Sequence, residues 1–215
     1  MESEKIFLPY GRETVAVEIE EGHLAGVLRS GIHGYKPSMS GEELVRAALA
    51  QPLGSPRLRE LAAGKRKIVV IASDHTRPVP SRVIMPQMLT EIRAGNPSAD
   101  ITILVATGLH RTTTPDELAT KFGDEIVARE RIVVHDCDDA ANLVNIGRLP
   151  SGGDLVVNRL AVEADLLVAE GFIEPHFFAG FSGGRKSVLP GKDETFSYFN
   201  GHHFDGKRNG KRTAP

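Results

Sequence analysis

Several features that would place this chain in a common protein class are absent. Its 215 residues include one cysteine, Cys137, so no disulfide can form within the chain and a reducing compartment, the cytoplasm, is expected. The longest apolar runs span only a few residues, as at 68–72, whereas a membrane-spanning helix needs about 20. Residues 1–5 lack the basic and apolar regions of a secretory signal. Lysine and arginine total 26 against 28 acidic residues, which argues against a nucleic-acid partner. We therefore expect a globular cytoplasmic protein with neither a membrane nor a nucleic-acid partner.

Short apolar runs alternate with helical segments along most of the chain. The runs are continuously apolar and rich in Val and Ile, and they lie at 67–72, 101–106, 132–134, 155–157 and 165–169. Continuous apolar runs are typical of strands that are buried on both faces, as in parallel sheets. Helices are expected between them, at 81–94, 114–123 and 158–164. The pattern predicts an α/β, Rossmann-like fold with a mostly parallel sheet flanked by helices.

The domain organisation follows from where this pattern stops. A strand at 14–19 and a helix that begins with the capping box of Ser40 and Glu43 precede the alternating region. The last ten residues are basic and lack an apolar pattern. We expect residues 1–205 to form one α/β domain and residues 206–215 to be a disordered tail.

Polar side chains collect where three of the predicted strands end. In an open α/β sheet, ligands bind beyond the carboxyl ends of the strands. Ser73–Pro78, Thr107–Arg111 and Glu170–His176 follow three of the runs, and all three carry His, Asp or Arg next to Gly or Pro. Three such segments at one edge of the sheet predict a ligand-binding or catalytic site there.

Each of these residues also has a purely structural interpretation. Asp74 alone is better explained by a turn or a helix cap, and Arg77 alone by a surface charge. His110 could equally stabilise a turn, and His176 could be packed among phenylalanines.

A glycine-rich segment, Gly180–Ser187, favours anion binding. Its glycines can expose backbone N–H groups, and two cations and a hydroxyl follow them. A P-loop that binds a nucleoside triphosphate is disfavoured, because that motif has glycine directly before its lysine, and here Arg185 precedes Lys186. His202 and His203 follow, as a weak metal signal without a zinc spacing.

These residues together resemble the nickel-dependent lactate racemases and related 2-hydroxy-acid racemases, over about residues 5–205. The resemblance rests on Ser73–Pro78, Ala106–Arg111 and, most specifically, Glu174–Gly191. It implies a nickel-pincer nucleotide, a pyridinium mononucleotide whose two sulfur-bearing arms hold nickel through S, C and S. Nickel would then need one imidazole from the protein.

The resemblance also implies roles for individual residues. Lys186 would join the cofactor through a thioamide, and His202, or otherwise His203, would be the protein's nickel ligand. His110 and His176 would be the two acid/base residues. Residues implied near the cofactor or the anionic substrate are Asp74, Thr76, Arg77, Gly183, Gly184 and Ser187. We expect Arg185 to lower the pKa of the Lys186 amine by like-charge repulsion.

The function that this implies is inversion of a 2-hydroxy acid such as lactate. One histidine would take the hydroxyl proton while hydride moves to the cofactor, and a planar 2-keto acid would be reduced again on its other face. Separate biosynthetic proteins would supply the cofactor. Family members carry a further C-terminal domain, so a cofactor-binding fragment without turnover is the second hypothesis. A zinc or iron hydrolase using His176, His202 and Asp205 is the third.

Overall fold

The computed structural model describes residues 3–20, 22–28, 30–108, 110–149, 152–176 and 180–188, without the side chains of Ser3, His33 and His176. These residues belong to two compact units that divide between Met39 and Ser40. The expectation of a single domain over residues 1–205 stays a prediction, and the predicted tail at 206–215 lies outside the described residues.

The first unit contains an antiparallel hairpin. Strands β1 (Ser3–Tyr10) and β2 (Glu13–Glu20) pair in register from Ser3 opposite Glu20 to Tyr10 opposite Glu13. Gly11 sits in the tight turn between them with φ of 63°, a conformation that glycine adopts without steric cost. The predicted strand at 14–19 is thus confirmed as the centre of β2. A short 3-10 helix follows at Gly31–Gly34.

The second unit alternates helices and strands as predicted. Its helices are α1 (Gly41–Ala50), α2 (Leu58–Ala62), α3 (Ser81–Gly95), α4 (Pro115–Phe122), α5 (Asp124–Arg129) and α6 (Arg159–Glu163). Its strands are β3 (Lys67–Ser73), β4 (Asp100–Ala106), β5 (Arg131–Val134), β6 (Leu143–Arg148), β7 (Asp154–Asn158), β8 (Leu166–Ala169), β9 (Pro175–His176) and β10 (Gly180–Phe181).

Four of the strands form the central parallel sheet in the order β5-β4-β3-β8. Numbered along the chain, these four strands run 3-2-1-4 across the sheet, which is the order of a Rossmann half. The point where the order reverses lies between β3 and β8. The predicted Rossmann-like α/β class is therefore confirmed, and this reversal is where such folds bind ligands.

One predicted strand belongs elsewhere. The run at 155–157 lies in β7, which pairs antiparallel with β6 in a separate two-stranded sheet. Only a few residues separate Arg148 from Asp154, and a parallel crossover needs a dozen or more. The short connection therefore dictates an antiparallel hairpin, whatever the apolar run suggests.

The central strands are apolar on both faces because helices cover both. Ile68, Val70 and Ala72 pack with α3 and α4 on one face of β3. Val69 and Ile71 pack on the other face, together with Leu160 and Val188. Burial of each such side chain stabilises the fold by roughly 1.5–3 kcal/mol, so the positions of the strand ends are firmly fixed.

None of the helices in the described part of the chain combines the length and apolarity that crossing a bilayer requires.

Candidate active site

The loop after β3 is organised by the carboxylate of Asp74. This side chain is 1% exposed, and its Oδ1 accepts hydrogen bonds from the backbone N–H (2.9 Å) and the hydroxyl (2.6 Å) of Thr76. The backbone N–H of Arg77 also donates to the carbonyl of Asp74, at 3.3 Å. The turn considered in the sequence analysis is therefore present. It uses only one of the two carboxylate oxygens and leaves the other for a partner.

That partner is His110, which follows the neighbouring strand β4. The register pairs Ser73 with Ala106, so the two loops leave the sheet side by side. The distance from His110 Nδ1 to Asp74 Oδ2 is 2.5 Å. A backbone bond from His110 to the carbonyl of Thr107, at 3.0 Å, holds the loop in place.

The pair consists of a buried acceptor and an accessible ring. The His110 side chain is 41% exposed, against 1% for Asp74. A carboxylate only accepts hydrogen bonds, so the neutral ring carries its proton on Nδ1. Nε2 is then left unprotonated, which is what a general base requires.

The pKa of Asp74 shows that it is ionised at neutral pH. Burial alone would raise this pKa, but the hydrogen bonds from His110 and Thr76 outweigh burial and hold it below its ordinary value. Asp74 can therefore orient His110 as a carboxylate throughout the neutral range.

Lys186 lies close enough to Arg77 for the two charges to interact. The pKa of the Lys186 amine is lowered first by burial and then by the Arg77 guanidinium, while Glu174 opposes the shift. The predicted direction is thus the one found, but its cause was assigned wrongly, because Arg185 does not contribute. Arg185 is exposed, whereas Arg77 reaches Lys186 from the β3 loop.

The glycine-rich segment is held close to the loop that follows β8. Ser182 makes this connection: its hydroxyl donates to the carbonyl of Phe172 (2.9 Å) and accepts from the N–H of Glu174 (2.9 Å). Gly183 has φ of 80°, and a Cβ there would lie 3.0 Å from the Phe172 carbonyl oxygen. Both the backbone angle and this close approach therefore favour glycine.

The remaining predicted residues of this segment lie just beyond. Gly184 has φ of 55° and begins a short 3-10 helix, Gly184–Ser187, which contains Lys186. Ser187 is partly buried at the end of this turn. The following residue, Val188, packs on the sheet against the cluster of Val69, Ile71 and Leu104 and fixes the segment there.

Three of the predicted histidines are described only in part or not at all. The backbone of His176 lies in β9 and pairs with Gly180 of β10, but its side chain lies outside the description. His202, His203 and Asp205 also lie outside the described residues. Within the described part, three potential metal ligands lie together only at Asp136–Asp138, and no predicted site residue is among them.

A buried polar group between β8 and α3 was not singled out by the sequence analysis. Glu170 directly follows β8, at the edge of the central sheet. It is 5% exposed and accepts a short hydrogen bond from the hydroxyl of Ser81. Its Oε2 is buried without a partner, and burial raises its pKa. Lys121 of α4 acts on Glu170 electrostatically and donates to Ser73 Oγ at 3.3 Å. The only signal in the sequence was the position of Glu170 directly after an apolar run.

The comparison with known families decides where this arrangement belongs. The family model described as "Lactate racemase N-terminal domain" matches residues 10–208. The chain belongs to this family. It is 57% identical over 186 residues to the lactate racemase of Thermoanaerobacterium thermosaccharolyticum and 54% identical over 186 residues to that of Lactiplantibacillus plantarum. These matches cover 86% of this chain and 44% of each relative, so the chain spans less than half the length of the relatives it matches.

Solved structures agree with the sequence relatives. The lactate racemase apoprotein from Thermoanaerobacterium thermosaccharolyticum superposes with a TM-score of 0.78 and 55% identity, covering 88% of this chain and 44% of that one. A Thermotoga maritima protein, at 24% identity and a TM-score of 0.58 over 74% of this chain and 40% of that one, shares the fold. The predicted membership of the lactate racemase family is confirmed.

Proposed function

We propose that this chain is the cofactor-binding and acid/base part of a racemase that inverts a 2-hydroxy acid such as lactate. The observation that carries the proposal is the hydrogen bond between Asp74 and His110, located where two neighbouring strands of the sheet end. The relatives are named lactate racemase, and they match across this segment of the chain.

In this proposal His110 moves the hydroxyl proton of one enantiomer. Asp74 fixes the proton on Nδ1, so Nε2 takes the substrate proton as C2 becomes planar and returns it in the reverse direction. The exposure of the ring, 41%, gives the substrate access to it.

Racemisation requires a second base on the opposite side of the carbon. Each enantiomer presents its hydroxyl differently, and a planar 2-keto acid must accept hydrogen on either face. His176 takes this role in the proposal, by its position in the segment Glu174–Gly191 that resembles the family. Arg77, exposed in the β3 loop, has the planar guanidinium that suits the substrate carboxylate.

The described residues fit a covalently attached nucleotide cofactor. A lowered pKa increases the fraction of neutral Lys186 amine, which is the form that can make a thioamide bond. Gly183 lets the backbone approach closely where a side chain would collide, as a loop that closes on a ligand requires. When bound, the proposed nickel-pincer nucleotide supplies the acceptor and donor of a hydride, with Lys186 as its anchor and His202 as the nickel ligand.

A second candidate function is cofactor binding without turnover. It is favoured by one observation, that the lowered pKa of Lys186 and the close backbone approach at Gly183 concern cofactor attachment and not turnover. In that case the loaded chain would carry the adduct and leave lactate unchanged.

The test is a single-turnover reaction of the cofactor-loaded protein with each pure enantiomer, followed by chiral analysis and keto-acid detection. His110→Gln should reduce interconversion in both directions by about 10²–10⁴-fold, because each full turnover uses both bases. It should still produce keto acid from one enantiomer, and His176→Gln from the other.

His23→Gln serves as the control, since this exposed histidine lies in the first unit. If both site variants racemise at the wild-type rate, or both prefer the same enantiomer, the two-base proposal is wrong. An intact-mass adduct without any keto acid in the wild type would instead identify the chain as a cofactor carrier.

A further inference from the structure

A cavity with several charged side chains in its wall opens between the loop after β3 and helix α4. It has a volume of about 360 Å³, and its wall includes Arg77, Ser81, Arg82, Glu117 and Lys121. Arg77 belongs to this wall and also acts electrostatically on Lys186, so the cavity adjoins the candidate active site.

The charge of the cavity wall is predominantly positive. Arg77, Arg82 and Lys121 contribute three cations, against the single carboxylate of Glu117. That carboxylate is already paired, because Arg111 donates two hydrogen bonds to it and lowers its pKa to about 2. Because Glu117 is paired with Arg111, no carboxylate among the described residues of the wall is left to pair with Arg77, Arg82 or Lys121.

Lys121 is the most informative of these cations. It is partly buried, and the one hydrogen bond described for its ammonium goes to the neutral hydroxyl of Ser73. The acidic groups that act on it electrostatically are Glu170 and Asp74. Glu170 is driven towards its neutral form by burial, and Asp74 is held by His110 and Thr76. Burial lowers the pKa of Lys121, and an anion in the cavity would relieve that cost.

The backbone adds to this positive field. Helix α3 begins at Ser81 in the cavity wall, and Pro80 at its N-cap provides no side-chain cap for the first turn. The N-terminus of a 15-residue helix carries a partial positive charge. This helix follows the first strand of the Rossmann half, the position where that fold receives phosphate.

We propose that this cavity binds the phosphate group of a mononucleotide, with Lys121 and Arg82 as its new ligands beside Arg77. Phosphate is favoured over a carboxylate because three cations and a helix N-terminus match a dianion, whereas a 2-hydroxy acid carries one negative charge. Since the cofactor of the proposed function is itself a nucleotide, the biological role of the cavity rests on that proposal. The binding of phosphate in the cavity does not depend on the proposed function.

The experiment measures anion binding to the purified chain without cofactor, by isothermal titration calorimetry. The probes are inorganic phosphate, nicotinic acid mononucleotide, the corresponding riboside without phosphate, and lactate. The variants are Lys121→Gln and Arg82→Gln, with Arg129→Gln as the control because Arg129 is an exposed cation of α5 outside the cavity wall. Thermal melting checks that each variant is folded.

We expect phosphate and the mononucleotide to bind saturably, and the riboside and lactate to bind at least tenfold more weakly. Each cavity variant should weaken phosphate binding about tenfold or more, since each removes a charge-assisted hydrogen bond, and the control should not. Tighter binding of the mononucleotide than of inorganic phosphate identifies a nucleotide as the source, whereas equal binding indicates a site for free phosphate.

A second measurement keeps the inference testable if a variant does not fold. In wild-type protein with ¹³C-methylated lysines, phosphate should raise the pKa of Lys121, which burial lowers in its absence. Equal phosphate affinity in all variants, preference for lactate, or no shift at Lys121 would overturn the inference. None of these readouts requires racemase activity, so failure of the proposed function is distinguishable from failure of the cavity.

Discussion

Replacing Asp74 by asparagine isolates the role of its charge. The amide has nearly the shape of the carboxylate, and its oxygen can still accept the two hydrogen bonds from Thr76 at 2.6 and 2.9 Å. The other position, 2.5 Å from His110 Nδ1, then holds an NH₂ donor in place of an acceptor. The ring must move its proton from Nδ1 to Nε2 to accept that donor, and Nε2 can then no longer act as a base.

The size of the effect follows from which interactions are kept. A general base contributes about 10²–10⁴-fold, or roughly 3–5 kcal/mol of transition-state stabilisation, and the wrong tautomer removes that contribution. KM should change little, because Asp74 is 1% exposed and is shielded from substrate. The free energy of unfolding should fall by no more than about 1.5 kcal/mol, since the number of hydrogen bonds is preserved.

The assay combines kcat for lactate racemisation with the ¹⁵N spectrum of the His110 ring, which distinguishes the two neutral tautomers. Asp165→Asn is the matched control, because Asp165 is an exposed aspartate that accepts the N–H groups of Arg66 and Lys67 away from the site. An unchanged kcat in Asp74→Asn, or an Nε2–H tautomer in the wild type, would refute the reasoning.

Three further predictions concern stability and titration. Gly95→Ala should lower the free energy of unfolding by roughly 1–3 kcal/mol in urea melts, because its Cβ would lie 1.9 Å from the backbone oxygen of Arg59; Gly41→Ala, whose nearest contact is 3.4 Å, should have a smaller effect. Glu170 has a raised pKa, so the native state holds its proton more tightly than the unfolded chain, and this stabilisation is lost as pH rises from 4.5 through the folded-state pKa. Urea melts across that range should therefore show Glu170→Gln gaining stability relative to wild type, and a constant difference would contradict this. Lys186, titrated by ¹³C-methyl NMR, should have a pKa below 10.5, and a value at or above 10.5 would contradict the burial argument.

The parts of the fold that the sequence predicted are those set by local patterns. Continuous apolar runs marked β3 and β4, and their burial on both faces is found as expected. The capping boxes of Ser40 with Glu43 and of Thr114 with Glu117 begin α1 and α4 at the predicted residues. These signals lie within a few residues of one another, so they can be read without knowing the tertiary structure.

The parts that the sequence missed depend on which strands are neighbours. The sequence analysis placed Asp74 and His110 at the same sheet edge but did not pair them. They are 36 positions apart, and the parallel register of β3 and β4 brings their side chains into contact. Lys121 lines the cavity from helix α4. In the sequence, a lysine on a helix predicts only a solvated surface residue. The error over Arg185 has the same origin, because the residue adjacent in sequence is exposed and the one adjacent in space is Arg77.

The two sides of the site are fixed by different forces. Asp74 and His110 follow strands β3 and β4, whose central side chains are buried, so their positions follow from the hydrophobic core. The segment with Lys186 is held mainly by the hydrogen bonds of Ser182, the close approach of Gly183 and the packing of Val188. Removing one of those contacts costs much less free energy than disrupting the core. The Asp74–His110 pair is therefore fixed more firmly than the segment with Lys186. In the proposed function this difference suits a site that first admits a large cofactor and then binds a small substrate against fixed groups.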